Sequence, residues 1–205
     1  MSSTQTALNL LDHQILDRAG KTVATEMAGE PRIAGSLEDT LGRTYLTLGL
    51  LPQAQAHLKS AVDIRTRAFG PDSLDTLRSM LYLGRVYGRQ GQYPEAEKIF
   101  RESLEALRRT VGPENQDTLQ AMNGLGIVYY SEQRYELAEK VQREAAEVKQ
   151  RVLGPDHPDT HKSIANLALV LVELKRFPRP RSSYSTRWSS IGRPGRATRR
   201  VPSAM

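Results

Sequence analysis

The 205-residue chain contains no cysteine, which excludes a disulfide framework and a thiolate metal site. It also lacks an apolar run long enough to cross a bilayer, since the densest one, residues 163–174, is far too short. The N-terminus has no basic start followed by an apolar stretch, so no secretory signal is recognisable. These absences predict a cytoplasmic protein that does not contact a membrane.

Acidic residues are missing from one region, residues 178–205, which carries seven arginines. The net charge of +6 and the pI near 9.7 come from this segment, because residues 1–177 hold 22 basic against 23 acidic side chains. This distribution argues against nucleic acid as the partner. One alternative stays open: the basic segment, which includes Trp188, could bind nucleic acid and make the chain a nucleic-acid-binding module.

One phrase recurs along the chain at a constant interval. It reads GPDSLDTL from Gly70, GPENQDTL from Gly112 and GPDHPDTH from Gly154, with a spacing of 42 residues. The match continues between these anchors, where Tyr87 recurs as Tyr129. Agreement at many positions over three periods predicts an internal repeat and therefore an array of similar units.

Each unit is predicted to contain two helices joined by a turn. In the second unit the core stripe of the first helix consists of Met80, Leu83, Gly84 and Tyr87. Pro94 suits the first turn of the second helix. That helix is expected to bury Ala96, Ile99, Phe100, Ser103 and Leu104. The small residues Gly84 and Gly126 are expected to be positions of close contact between helices.

The segment between units carries helix end and start signals. Gly112 is expected to end a helix in the left-handed conformation, and Pro113 prevents its continuation. Ser73, Asn115 and His157 share the N-cap position of the next helix. Each is followed two residues later by an aspartate, which the positive helix N-terminus favours.

Leu-Gly-x-x-Tyr on the first helix and Ala-x-x-x-Phe-x-x-Ser on the second resemble the tetratricopeptide repeat. The period and the Gly-Pro-Asp-His-Pro-Asp-Thr linker of residues 154–160 resemble its kinesin-light-chain-like variety. The resemblance covers residues 33–177, as three full units plus a half unit. It implies an all-α, right-handed superhelical solenoid of antiparallel helix pairs. Residues 15–50 also resemble the segment that opens repeat arrays behind the kinase domain of certain bacterial serine/threonine kinases.

The two flanking regions receive separate predictions. Residues 1–32 are expected to form an N-terminal capping helix, because Leu8, Leu11, Ile15, Ala19, Val23 and Met27 form one apolar stripe. Residues 178–205 are predicted to be a disordered tail rich in arginine, serine and proline. Because the repeat pattern stops abruptly after Phe177, we further hypothesise that this tail is translated out of frame.

The resemblance implies a concave groove, lined by the first helices, that receives a peptide or partner protein. On a helical wheel Arg78, Tyr82, Arg85 and Arg89 lie opposite the core stripe. Their equivalents are Ser36, Thr40, Arg43 and Thr47, then Gln120, Gly124, Ile127 and Ser131, then Lys162, Asn166, Leu169 and Glu173. The predicted peptide-binding residues are Arg43, Arg78, Tyr82, Arg85, Arg89, Asn123, Ile127, Lys162 and Asn166. A solvated face is the alternative interpretation of the same positions.

No catalytic, cofactor or metal site is predicted. The sequence contains neither a kinase motif nor a serine, histidine and aspartate set in a nucleophile context, and Gly124 and Gly126 fall at repeat positions rather than in a phosphate loop. His157 and His161 have metal-ligand spacing, but the cap position of His157 favours a structural role. We therefore expect a protein–protein interaction scaffold that is not an enzyme, with self-association possible through the unpaired last helix.

Overall fold

The computed structural model describes residues 29–175, which form seven α-helices and, within that range, no strand. The helices are α1 (Pro31–Leu48), α2 (Leu51–Phe69), α3 (Leu74–Arg89), α4 (Tyr93–Thr110), α5 (Gln116–Ser131), α6 (Tyr135–Leu153) and α7 (Pro158–Glu173). Residues 1–28 of the predicted capping helix, the basic tail with its hypothesised out-of-frame origin and the alternative nucleic-acid role lie outside this range, whereas residues 31–32, which were predicted to belong to the cap, begin α1.

Each helix packs against the next one along the chain, and α1, α3, α5 and α7 also contact each other in sequence. The odd-numbered helices therefore form one continuous layer, and the even-numbered helices lie behind it. The expected fold is confirmed as an all-α, right-handed superhelical solenoid of antiparallel helix pairs.

The predicted N-caps are confirmed at all three unit boundaries. Ser73 accepts a hydrogen bond from the Thr76 amide, and Asn115 and His157 accept one from the amide two residues later. The linker glycines have positive φ, 89° at Gly112. At the equivalent Gly70, however, ψ is 162°. Gly70 thus adopts the extended, glycine-only region rather than the left-handed helical one, whereas at Gly112 the positive φ agrees with the prediction.

The core of the second unit is wider than the sequence stripe predicts. Leu83 and Gly84 are buried as expected, but Met80 and Tyr87 are only partly buried. Three residues outside the stripe, Leu77, Leu81 and Val86, are at most 4% exposed. Because α3 contacts helices of its own layer as well as α2 and α4, more than one of its faces is covered.

The second helix of that unit follows its prediction more closely. Its buried residues include Ala96, Phe100, Ser103 and Leu104, together with Ala106 and Leu107, which were not expected. Ile99 is only partly buried. The additional buried pair reflects contact of α4 with the following helix α5.

Close helix approach at the small residues is confirmed. A Cβ atom on Gly84 would lie 3.0 Å from Cζ of Phe100, and one on Gly126 would lie 2.4 Å from Nε2 of Gln142. Gly124, which the helical wheel assigned to the groove row, is buried but also lines a depression on the layer of odd-numbered helices together with Phe100. A Cβ atom there would lie 2.4 Å from the Phe100 ring, so this ring fills the space that Gly124 leaves.

Helix α7 is more exposed than the first helix of the preceding unit. Ile164 is 43% exposed, whereas Met122, its equivalent on α5, is 1% exposed. Within residues 29–175 no second helix follows α7. Self-association through this helix stays a prediction, as does the cytoplasmic location. Over the same range, no helix combines the length and apolar character needed to cross a bilayer.

Candidate functional site: the inner groove of the array

The nine predicted groove residues all lie on the layer formed by the odd-numbered helices. They line three depressions that share residues with one another. The largest has a volume of about 760 Å³ and extends from α3 to α7. We call these depressions together the inner groove. The structure thus brings the nine residues to one surface, while their role in binding stays a prediction.

A cationic segment at the α1–α3 end of the inner groove consists of Arg43, Tyr82, Arg85 and Arg89. The guanidinium of Arg43 lies 4.7 Å from the ring centroid of Tyr82, and that of Arg85 lies 5.4 Å from the same centroid. Arg89 donates to the carbonyl oxygen of Leu46 at 2.6 Å. Cation–π contact therefore holds two guanidinium groups on one tyrosine.

Two aspartates of this region form ion pairs with arginines, and one of these arginines, Arg43, belongs to the cationic segment. Arg78 bonds to the Asp117 carboxylate at 3.0 Å. Asp39 lies 3.6 Å from Arg43 and 3.3 Å from Arg65, which is itself buried. Tyr82 lines two depressions. One is lined by threonines, arginines and Leu46 without an acidic side chain, and the other contains three aspartates. The cationic segment thus keeps a net positive charge.

The groove changes from cationic to apolar along one row of equivalent positions. Arg43 and Arg85 are followed in that row by Ile127 on α5 and Leu169 on α7, which are 49% and 55% exposed. Val152 and Leu153, at the end of α6, are also exposed, and they line the largest depression with Ile127. An apolar segment therefore adjoins the cationic segment, and it consists of Ile127, Val152, Leu153 and Leu169.

Polar side chains complete the α5–α7 part of the groove. The amide of Asn166 donates to Oδ1 of Asn123 at 2.7 Å, so these two residues form a pair rather than two separate peptide clamps. Lys162 lies 3.2 Å from Asp159, and this hydrogen bond lowers the pKa of the Asp159 carboxyl.

Sequence reasoning missed one titratable lining residue, Lys149 on α6. Its Nζ donates to Oγ of Ser163 at 2.9 Å, and burial lowers the pKa of its ammonium group. Second helices were expected to lie behind the groove. The repeat alignment offered the missing signal, because Lys149 stands where Leu107 stands one unit earlier.

Comparisons with known proteins agree with this architecture. The sequence profile of the tetratricopeptide repeat matches residues 32–109, 81–139 and 117–179, and these matches cover more than half of the chain. No curated protein sequence matches the chain significantly.

Three solved structures share the fold. The kinesin light chain TPR-like repeats from Podospora anserina are 21% identical, with a TM-score of 0.64 over 68% of this chain and 66% of that one. BtubC (BKLC) from P. vanneervenii is 18% identical, with a TM-score of 0.68 over 99% and 93%. The apo form of RapI is 14% identical, with a TM-score of 0.67 over 85% and 63%.

The family assignment rests on the profile matches and on the seven helices that fill the matched range. The similarity to repeat arrays of bacterial kinases stays a prediction. Because the profile matches run from α1 to the end of α7, the chain belongs to the tetratricopeptide repeat family, whose repeats are non-enzymatic scaffolds for protein–protein interaction.

Proposed function

We propose that the inner groove binds an extended segment of a partner protein, with acidic side chains at the cationic segment and an apolar side chain at the apolar segment. The observation that carries this proposal is the convergence of Arg43 and Arg85 on one Tyr82 ring. Two guanidinium groups held on one ring repel each other, and a bound anion relieves that repulsion.

The positive charges of Arg43 and Arg85 are only partly neutralised by nearby carboxylates. Arg85 has no carboxylate within 4.0 Å among the described residues, and the carboxylate near Arg43 belongs to Asp39, which also serves Arg65. Arginine and tyrosine are the residue types enriched at the energetic centres of protein interfaces. A peptide carboxylate would therefore meet a charge that the scaffold itself leaves unbalanced.

The apolar segment supports the second half of the proposal. Ile127 lines the same depression as Arg85, so a short peptide can contact both. Burial of exposed aliphatic side chains by a ligand contributes about 25 cal/mol per Å² of apolar surface. The groove thus offers charge at one end and apolar area at the other.

A random peptide display selection against the full chain tests the proposal. Selected peptides are then measured by fluorescence anisotropy against Arg43→Ser/Arg85→Ser. We expect at least a tenfold loss of affinity. The matched control is Arg101→Ser/Arg109→Ser, which removes two exposed arginines from the second helix α4 and should change affinity less than twofold.

The selected peptides also test the contribution of the apolar segment separately from that of the cationic segment. Substituting Ile127→Ser/Leu169→Ser should lower the affinity of the same peptides while leaving the helical circular dichroism signal unchanged. If neither groove variant weakens binding, the interaction lies on another surface and the proposed groove function is wrong.

A further inference from the structure

The second helices carry one position whose chemistry changes from unit to unit. Arg65, Leu107 and Lys149 are spaced by 42 residues, on α2, α4 and α6 respectively. Each lies where its helix meets the following first helix. We call these three contacts the first, the middle and the last junction. The neighbours of Arg65, Leu107 and Lys149 differ from one junction to the next.

The first junction neutralises its cation internally. Arg65 lies 3.3 Å from the Asp39 carboxylate and donates to Oγ of Ser79 at 2.6 Å, while Ser79 donates to Asp39 at 2.7 Å. All three residues are less than a tenth exposed. A buried guanidinium therefore has a buried counterion, as a buried charge requires, although Asp39 also lies 3.6 Å from Arg43.

The middle junction contains no charge at these positions. Leu107, Leu81 and Ala121 take the places of Arg65, Asp39 and Ser79, and all three are buried within one apolar cluster. The ion pair and the apolar set are thus two complete solutions to the same packing problem.

The last junction keeps the cation but not its counterion. Lys149 donates to Ser163, the equivalent of Ser79, at 2.9 Å. Asn123 stands at the position of Asp39. No carboxylate lies within 4.0 Å of the Lys149 ammonium among residues 29–175, and Asp159, which acts on it from farther away, is already paired with Lys162.

This junction opens into the groove. Lys149, Asn123 and Asn166 all line the depression of about 760 Å³. An ammonium group has three donors, of which Ser163 takes one. The Asn166 amide, which donates to Asn123, has a second hydrogen available. Donors of Lys149 and Asn166 thus line one depression with Asn123, which stands at the sequence position of the first-junction carboxylate.

We propose that Lys149, with the Asn123–Asn166 pair, forms a subsite that takes a carboxylate from the bound partner segment. This subsite deepens the proposed groove function and rests on it for its biological ligand. The carboxylate lies beside the Asn123 side chain, which itself stands at the Asp39 position, and supplies the charge that Asp39 supplies at the first junction. It comes either from an acidic side chain or from a chain terminus, and the experiment below distinguishes these sources.

The test follows the Lys149 side-chain signals of the isotope-labelled full chain by NMR. The probes are acetate, acetyl-aspartate amide for a side-chain carboxylate, acetyl-alanine for a terminal carboxylate and inorganic phosphate. Saturable shifts of Lys149 and of the Asn123 and Asn166 amides are expected with the carboxylates. The tighter of the two amino-acid probes identifies the source.

Asn123→Asp is the decisive variant, because it restores the counterion that the first junction has. It should weaken carboxylate binding at least tenfold, whereas Asn123→Leu, which copies Leu81 and leaves Lys149 charged, should retain binding within a few fold. Lys149→Leu, which copies Leu107, should abolish the amide shifts and provides a second measurement if Asn123→Asp does not fold.

Three results would overturn the subsite: shifts that do not saturate, equal binding by native chain and Asn123→Asp, or tighter binding of phosphate than of carboxylates. None of these depends on a partner peptide. If the peptide selection fails while acetate saturates Lys149, the subsite stands and the groove function does not; the reverse result rejects the subsite alone.

Discussion

The first and middle junctions of the array solve one packing problem with opposite chemistry. A buried ion pair between Asp39 and Arg65 joins α1 to α2 and extends to α3, whereas Leu81 and Leu107 fill the same positions one unit later. A repeat scaffold can therefore hold either an ion pair or apolar side chains at one set of positions, provided that all contacting positions change together. A change at one of these positions alone destabilises the fold.

The largest expected effect comes from breaking the ion pair on one side. Asp39→Leu copies the middle junction at a single position and leaves the buried Arg65 guanidinium without its counterion. Loss of one partner of a buried pair costs about 3–5 kcal/mol. Urea denaturation should therefore show the free energy of unfolding reduced by that amount.

The control variant replaces all three residues of the first junction by those of the middle junction. The triple variant Asp39→Leu/Arg65→Leu/Ser79→Ala should recover most of the lost stability, because apolar replacements of a whole buried ion pair are often neutral. If the single and triple variants are equally destabilised, the two junctions are not interchangeable solutions, and the comparison fails.

The next effect concerns the aromatic ring of the middle junction. Phe100 replaces Leu58 of the preceding unit, and Gly124 replaces Tyr82, so a larger residue is matched by a smaller one. Gly124→Ala would place a Cβ atom 2.4 Å from the ring, which also passes so close to Gly84 that a Cβ atom there would lie 3.0 Å from it. We expect a loss of about 1–3 kcal/mol in thermal or urea unfolding.

Gly88→Ala is the matched control for this substitution. A Cβ atom at Gly88 meets nothing closer than 4.0 Å, so the higher helix propensity of alanine should stabilise the protein by up to about 1 kcal/mol. A Gly124 variant that is as stable as the Gly88 variant would show that the ring moves freely.

The repeat made most of the fold predictable. Gly70, Gly112 and Gly154 fixed the period, and the N-caps and the helix order followed from local chemistry. Burial at Leu77 and Val86 was not predictable from one helix, since it depends on neighbours within the same layer. The same limit explains Gly124, whose place in the core depends on a ring from another helix.

The groove residues were predictable as a row but not as a set of contacts. Arg43, Arg85 and Ile127 follow from the 42-residue alignment. The convergence of both arginines on Tyr82 does not, because it depends on side-chain conformation between helices. Lys149 escaped notice for a related reason: its significance lies in the loss of the Asp39 carboxylate, which only a comparison of junctions reveals.

A smaller effect is expected at the last junction. Lys149→Leu/Ser163→Ala gives it the chemistry of the middle junction. Because Lys149 is only partly buried and has no close counterion to abandon, we expect a change of at most about 1 kcal/mol in the free energy of urea unfolding. A loss as large as that of Asp39→Leu would mean that Lys149 supports the fold rather than the groove.

The smallest expected effect involves charge at the outer side of the middle junction. Glu97 on α4 forms an ion pair with Arg134, just beyond α5, and accepts a hydrogen bond from Tyr129 at 3.1 Å. The Arg134 hydrogen bond lowers the pKa of the Glu97 carboxyl, against the opposing effect of burial. Arg134 is 39% exposed, so solvent screens this pair far more than the Asp39–Arg65 pair.

The sign of the pH dependence follows from that lowered pKa. Glu97 contributes stability at pH values above its unfolded-state pKa and loses the contribution as the pH falls through its folded-state pKa. Relative to Glu97→Gln, the native chain should be more stable by a few tenths of a kcal/mol at pH 7, and this difference should decrease as the pH falls below about 4.5, the ordinary pKa of the carboxyl. Melting temperatures of both proteins across an acid titration provide the measurement. Because Gln keeps the shape of the side chain but cannot ionise, a difference that does not change with pH would assign the contribution of Glu97 to packing rather than to charge.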